Sequence, residues 1–92
     1  MAQQTDTRDE LIARYIVRDP WTTPDQAWLV GSGVDVWAII GYLRGFDIDE
    51  TAAAYEVPRE AVEAALAYYD RHRKVIDARL TLNDAAFDID GV

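Results

Sequence analysis

Apolar residues recur at helical spacing between Val36 and Leu43, with Val36, Ile39, Ile40 and Leu43 falling on one face. That spacing predicts a first helix over residues 36–44, and Gly45 stands where a left-handed C-terminal cap is usual. Asp47 is then a ready N-cap for a second, short helix. Glu50 lies three residues on, as a capping box requires, with Asp in place of the usual Ser or Thr. Ala52, Ala53 and Ala54 let this helix approach its neighbours closely, Tyr55 and Val57 anchor the turn, and Pro58 opens a third helix at its favoured first position. Val62, Leu66, Tyr69, Val75 or Ile76, and Leu80 continue a stripe near three-and-a-half spacing, which predicts that the third helix runs past twenty residues.

The N-terminal third has a different texture. Residues 11–17 form a short apolar run that reads as a helical turn leading into a strand. Residues 19–25 are turn chemistry, since Pro20 and Pro24 fix their own backbone and push the preceding residue out of the helical region. Residues 27–30 and 34–36 flank Gly31-Ser32-Gly33 like a short strand with a hairpin or loop, giving a sheet of two or three strands. The expected fold is mainly α, a three-helix helix-turn-helix core with a small N-terminal β-hairpin or sheet. It divides into a mobile N-terminus (1–10), a helix-turn-helix domain (11–80) and an acidic tail (81–92) expected to be mobile when free.

Composition changes this picture at two points. Ninety-two residues make one small domain, which at that size buries only roughly 60% of its unfolded surface, so a second copy or a partner would add stability. Seventeen acidic against nine basic residues give a net charge of -8, which opposes attraction to phosphate backbones and favours a basic partner. Without cysteine there is no disulfide framework and no thiol nucleophile. The N-terminus has no secretory pattern and no apolar run approaches a membrane span, so a cytoplasmic protein is expected, with no membrane partner.

A helix-turn-helix that read DNA in the usual way would bring Arg59, Glu60, Glu63, Ala64 and Ala67 nearest the bases. The dense cations of Arg71-His72-Arg73-Lys74 would lie over phosphates, so the DNA-binding candidates are Arg59, Glu63, Arg71, Arg73 and Lys74. The plainer reading is that late-helix cations complement the dipole and solvate an exposed face. His72 has no second histidine or cysteine to share a metal and is expected to face solvent. Trp21, Trp28 and Trp37 read as core or dimer-interface anchors. Asp47, Asp49 and Glu50 are explained by capping and the helix dipole, and no nucleophile with its base, phosphate loop or metal cluster is present, so no enzyme and no cofactor are expected.

Beyond the domain, Val75, Ile76, Leu80 and Leu82 are candidates for pairing with another chain. The tail has the composition of a segment that folds onto a basic groove, with Leu80, Leu82, Phe87, Asp88, Ile89 and Asp90 as the contact residues; a frayed terminus is the alternative.

These pieces resemble the domain-of-unknown-function 433 family over roughly residues 15–80. The likeness rests on Ile16-Val17-Arg18-Asp19-Pro20, the Gly33-Val34-Asp35-Val36 step into a helix, the Gly45 turn and the junction Tyr55-Glu56-Val57-Pro58-Arg59-Glu60-Ala61-Val62. The family's basic Gly-Lys-Pro and Gly-Thr-Arg stretches are absent here, which argues against a phosphate-holding role for residues 25–34. The resemblance implies an antitoxin-like protein paired with a small toxin, typically a PIN-like ribonuclease. The resulting expectation is a homodimeric antitoxin that neutralises its toxin and helps repress its own operon. The alternative is a stand-alone DNA-binding transcriptional regulator, whose operator binding would weaken steeply as salt rises.

Overall fold

The computed structural model describes residues 7–90, with side chains described as far as Asn83. In chain order the elements are α1 (Thr7–Tyr15), β1 (Ile16–Val17), a 3-10 turn (Pro24–Gln26), β2 (Trp28–Leu29), α2 (Val36–Leu43), α3 (Ile48–Tyr55), α4 (Arg59–Arg71) and α5 (Arg73–Asp90). The protein is mainly helical with a small antiparallel sheet.

The sheet is β1 against β2, pairing Ile16 with Leu29 and Val17 with Trp28. The expected hairpin is reduced to one bridge, Trp28 with Asp35, around a loop in which Gly31 and Gly33 take φ of 84° and 72°. Those backbone angles are accessible to glycine at no steric cost. Among the described residues Gly45 is not left-handed. The helix α2 ends instead on Arg44 in right-handed geometry, its N–H donating to the Gly41 carbonyl at 3.3 Å while Gly45 N–H donates to the Tyr42 carbonyl at 3.1 Å.

The capping box forms as the sequence predicts. Glu50 N–H donates to Asp47 Oδ1 at 2.8 Å, and Asp47 N–H donates to Glu50 Oε1 at 3.0 Å. At the other end of α3 the left-handed residue is Glu56 (φ 56°, ψ 47°). Its N–H donates to the Ala53 carbonyl at 3.2 Å, and Val57 N–H reaches back to Ala52 at 3.0 Å. This is a Schellman closure, with the half-buried Val57 packed on the core that contains Ala52. Pro58 is the N-cap of α4 and not its first helical residue.

The expected single long third helix is broken at His72, whose φ of -134° interrupts the helical run. The break lets α5 turn back onto the domain, so that Ile76 (0% exposed) and Leu80 (4%) enter the same core as Leu29, Val36, Ile39, Val62 and Ala65. Four helices therefore build the core, where the sequence predicted three. Gly41 of α2 makes room for Leu80: a Cβ there would stand 3.2 Å from Leu80 Cδ2. The 3-10 turn is tied down from both sides, with Tyr68 Oη donating to the Pro24 carbonyl at 2.8 Å and Arg79 donating to Asp25 at 3.1 Å.

The N-terminal segment also departs from expectation. Residues 7–10, read as part of a mobile terminus, belong to α1, while residues 1–6 lie outside the described residues. At the other end α5 remains helical to Asp90, through most of the segment read as a mobile tail.

Candidate functional site

On α4 the buried positions divide into two sets. Ala61, Val62, Ala65 and Tyr68 belong to the hydrophobic core shared with α2 and α3. Ala64 (0% exposed) and Ala67 (5%) are equally covered but stand outside that core cluster. At about 100° per residue Ala67 points away from it, on the outward face that also carries Glu60, Glu63, Asp70 and Arg71, and Ala64 sits at the edge between that face and Tyr68. Packed along α4 is α1, whose contact with it is the most extensive between any two elements, with Leu11 beside Ala67. A groove of about 510 Å³ runs along this seam, with Leu11 of α1 and Leu66, Ala67 and Tyr69 of α4 among its walls.

This placement bears directly on the predicted DNA contacts. In the usual docking geometry the outward face of the second helix enters the major groove. Here α1 occupies that face, and Ala64 and Ala67 are buried instead of facing bases. The candidate cations are held by acids. Arg59 pairs with Asp49 and with Glu63 (3.5 Å to the latter), Arg71 pairs with Asp9 of α1, and Arg73 pairs with Asp70 at 2.6 Å while lying 5.0 Å over the Tyr69 ring. The neighbouring carboxylates push the guanidinium pKa of Arg59 and of Arg73 upward, Asp49 for the first and Asp70 for the second. Glu63 is half-buried and faces Arg59, and Lys74 is exposed at the start of α5.

His72 does not face open solvent as expected. Its ring lies 4.4 Å from that of Tyr68, and burial, reinforced by Arg18 and then Arg71, pushes its pKa below the ordinary histidine value of 6.5. The tryptophans divide as well: Trp28 and Trp37 are half-buried, with Arg79 4.9 Å above the Trp37 ring, but Trp21 is 83% exposed and anchors no core.

The residues expected to bind a partner also separate. Leu80 and Ile76 are core residues, and Val75 packs partly against the core, so none of these three stands free for another chain. Leu82, at 69% exposed, does. It lines a groove of about 520 Å³ between α5 and the 3-10 turn, together with Val75, Ala78 and the Asp25–Arg79 pair. Phe87, Asp88, Ile89 and Asp90 lie on the helical continuation of α5, and their side chains fall outside the described residues. Burial tends to raise the Asp25 carboxyl pKa, but hydrogen bonds from Thr23 and Arg79 outweigh it and hold the group below the usual 3.8.

Among the described residues no group of three or more His, Asp or Glu side chains is placed to hold a metal ion, and no helix is long and apolar enough to cross a membrane. Sequence reasoning missed the covering of α4 by α1; the only signal was Leu11, Ile12 and Tyr15 at one helical edge of a mostly polar segment.

The profile of a family described as "Protein of unknown function (DUF433)" matches residues 16–69, from β1 to the last turns of α4. No curated protein and no solved structure matches the chain.

Proposed function

The chain belongs to the DUF433 family, and on that premise we propose that it is an antitoxin-like protein of a bacterial toxin–antitoxin pair, binding its toxin through α5. The observation that carries this reading is the way α5 leaves the core. After Leu80 the residues Thr81, Leu82 and Asn83 are all exposed, and the helix continues to Asp90, about 15 Å further at 1.5 Å per residue. An exposed leucine beside a groove lined by Val75, Ala78 and the Asp25–Arg79 pair is the start of an anchor of the kind that protein interfaces bury. Downstream the sequence carries Phe87 and Ile89 among Asp84, Asp88 and Asp90 without a basic residue, which suits a cationic surface such as a ribonuclease's substrate groove.

Stand-alone reading of DNA by α4 is the less favoured function. Its outward face is covered and its cations are paired with carboxylates. Autoregulation, in this reading, falls to the Arg71–Lys74 end of α4 and α5 in a dimeric complex whose toxin supplies further positive charge.

The test is co-purification of the tagged full chain from its native host after nuclease treatment, followed by assay of the partner. The expected result is a small stoichiometric protein whose ribonuclease activity the full chain suppresses and the Leu82→Asp chain does not. A clean homo-oligomer, or a partner inhibited equally by Leu82→Asp, contradicts the proposal.

A further inference from the structure

The joint between α4 and α5 is a single residue. α4 ends at Arg71, α5 begins at Arg73, and His72 between them takes φ of -134° and ψ of 36°. That conformation interrupts the ladder by which a straight helix would bond the N–H groups of Arg73, Lys74 and Val75 to the carbonyls of Tyr69, Asp70 and Arg71. Across the joint His72 N–H donates instead to the Tyr69 carbonyl at 3.0 Å, and Ile76 N–H donates to that of His72 at 3.1 Å.

Local chemistry does not demand this bend. Residues 69–77 contain neither glycine nor proline. The contacts at the joint are the Tyr68 ring with that of His72, Arg73 over the Tyr69 ring, and Arg73 with Asp70. They join residues three or four apart, a spacing that a continuous helix serves equally well.

What bends the chain lies elsewhere in the molecule. α5 packs more extensively on the 3-10 turn and on α2 than on α4. Ile76 and Leu80 fill the core, Leu80 close to Gly41. Arg79 donates to Asp25 and lies over the Trp37 ring, and Tyr69 Oη donates to Asp77 at 2.7 Å. Each of these contacts joins α5 to a slot in the domain. The α5 of a second copy presents the same residues to that slot.

We propose that the slot is also an interface between two copies of this chain, which straighten at His72 and exchange α5, so that Ile76, Leu80 and Arg79 of each copy seat in the other. The exchanged dimer remakes the core contacts and adds, at each joint, the helical bonds that the bend gives up. A one-residue connection leaves no slack to relieve the closed form, which is the condition that invites exchange. Because Ile76 and Leu80 are buried, α5 leaves its slot only on unfolding, so each form persists once folded. The exchange needs no toxin, and the exposed Leu82 takes no part in it.

The test uses two full-length chains, Asp25→Arg and Arg79→Asp. Each alone places like charges at the contact between positions 25 and 79, whether closed or exchanged with itself. In a mixed exchanged dimer both contacts are again of opposite charge. An equimolar mixture refolded from urea should therefore dimerise at a concentration roughly five- to tenfold lower than either chain alone, read by light scattering, with one copy of each by native mass spectrometry. His72→Ala and His72→Gly, each in the otherwise native chain, delete the same ring and differ in helix propensity. After equilibration in moderate urea the alanine chain should dimerise more tightly, by about fivefold per joint and roughly 25-fold over two joints. Equal dimerisation of these two variants overturns the proposal, as does a mixture that stays monomeric or dimerises no better than its components. A dimer that Leu82→Asp dissociates is a surface contact and overturns it as well. If neither charge-reversed chain folds alone, recovery of a folded mixed dimer is still expected, and failure to recover one contradicts the exchange.

Discussion

The two helices that flank the matched region are attached in opposite ways. α5 drives Ile76 and Leu80 into the common core and is pinned to the 3-10 turn by Arg79 and Asp25. α1 makes the broadest contact in the molecule and buries none of its own residues. Breadth of contact and depth of burial are thus separate quantities, and only the second anchors an element, because stabilisation follows apolar surface removed from water. The helix with a shallow hold is a cover; the one with a deep hold is a fixed stem.

The sharpest way to break this comparison is to remove an anchor. Ile76→Ala should lower stability by about 2–5 kcal/mol in urea unfolding, since it deletes a fully buried branched side chain. A loss below about 1 kcal/mol would show that α5 is laid on the surface as α1 is.

Next in size is the polar tie. Asp25→Asn should cost about 1–2 kcal/mol near neutral pH, as a charge-assisted hydrogen bond between partly covered groups is weakened. The folded-state pKa of Asp25 is depressed, so its contribution is complete above the unfolded value of 3.8 and disappears as pH falls through the lower folded value. Wild-type stability should therefore drop more steeply than that of Asp25→Asn below pH 3.8.

For α1 the expected loss is smaller. Leu11→Ala should cost no more than about 1 kcal/mol, because the side chain is only half-buried and its surroundings can relax. An effect equal to that of Ile76→Ala would place α1 in the core and erase the contrast.

The smallest effect concerns the joint between α4 and α5. With its pKa lowered by burial first and by Arg18 and Arg71 next, His72 is neutral in the fold over a range where the unfolded chain takes up a proton. Stability is then complete above pH 6.5 and declines as pH falls from 6.5 through the lower folded value. His72→Gln should flatten that part of the stability profile; an unchanged slope would mean that the ring is not confined at the break.

What was legible in the sequence was what is encoded locally. Asp47 and Glu50 announce a capping box because both partners lie within one turn, and Val36, Ile39 and Ile40 announce the inner face of α2 because the period is regular. The break at His72 was not legible. Arg71, Arg73 and Lys74 are all acceptable in a helix, and the interruption is driven by the burial of Ile76 and Leu80 across the domain. For the same reason Leu80 read as an outward anchor: a stripe of leucines looks alike whether it meets its own core or another chain. The Schellman turn was hidden because Glu56 fills a place where glycine or asparagine would have signalled it. In the candidate site, the cations and their near partners, Glu63 for Arg59 and Asp70 for Arg73, lie within one turn of helix, whereas Arg59–Asp49 and Arg71–Asp9 were not legible because they join residues far apart in sequence.

Native-state hydrogen exchange of the unmodified chain, read by element as denaturant rises, tests the contrast between cover and stem most directly. The amides of α1 should exchange through a local opening that is fast and nearly independent of denaturant, while those around Ile76 and Leu80 should exchange only through global unfolding together with α4. Protection of α1 equal to that of α4, with the same denaturant dependence, would contradict the account.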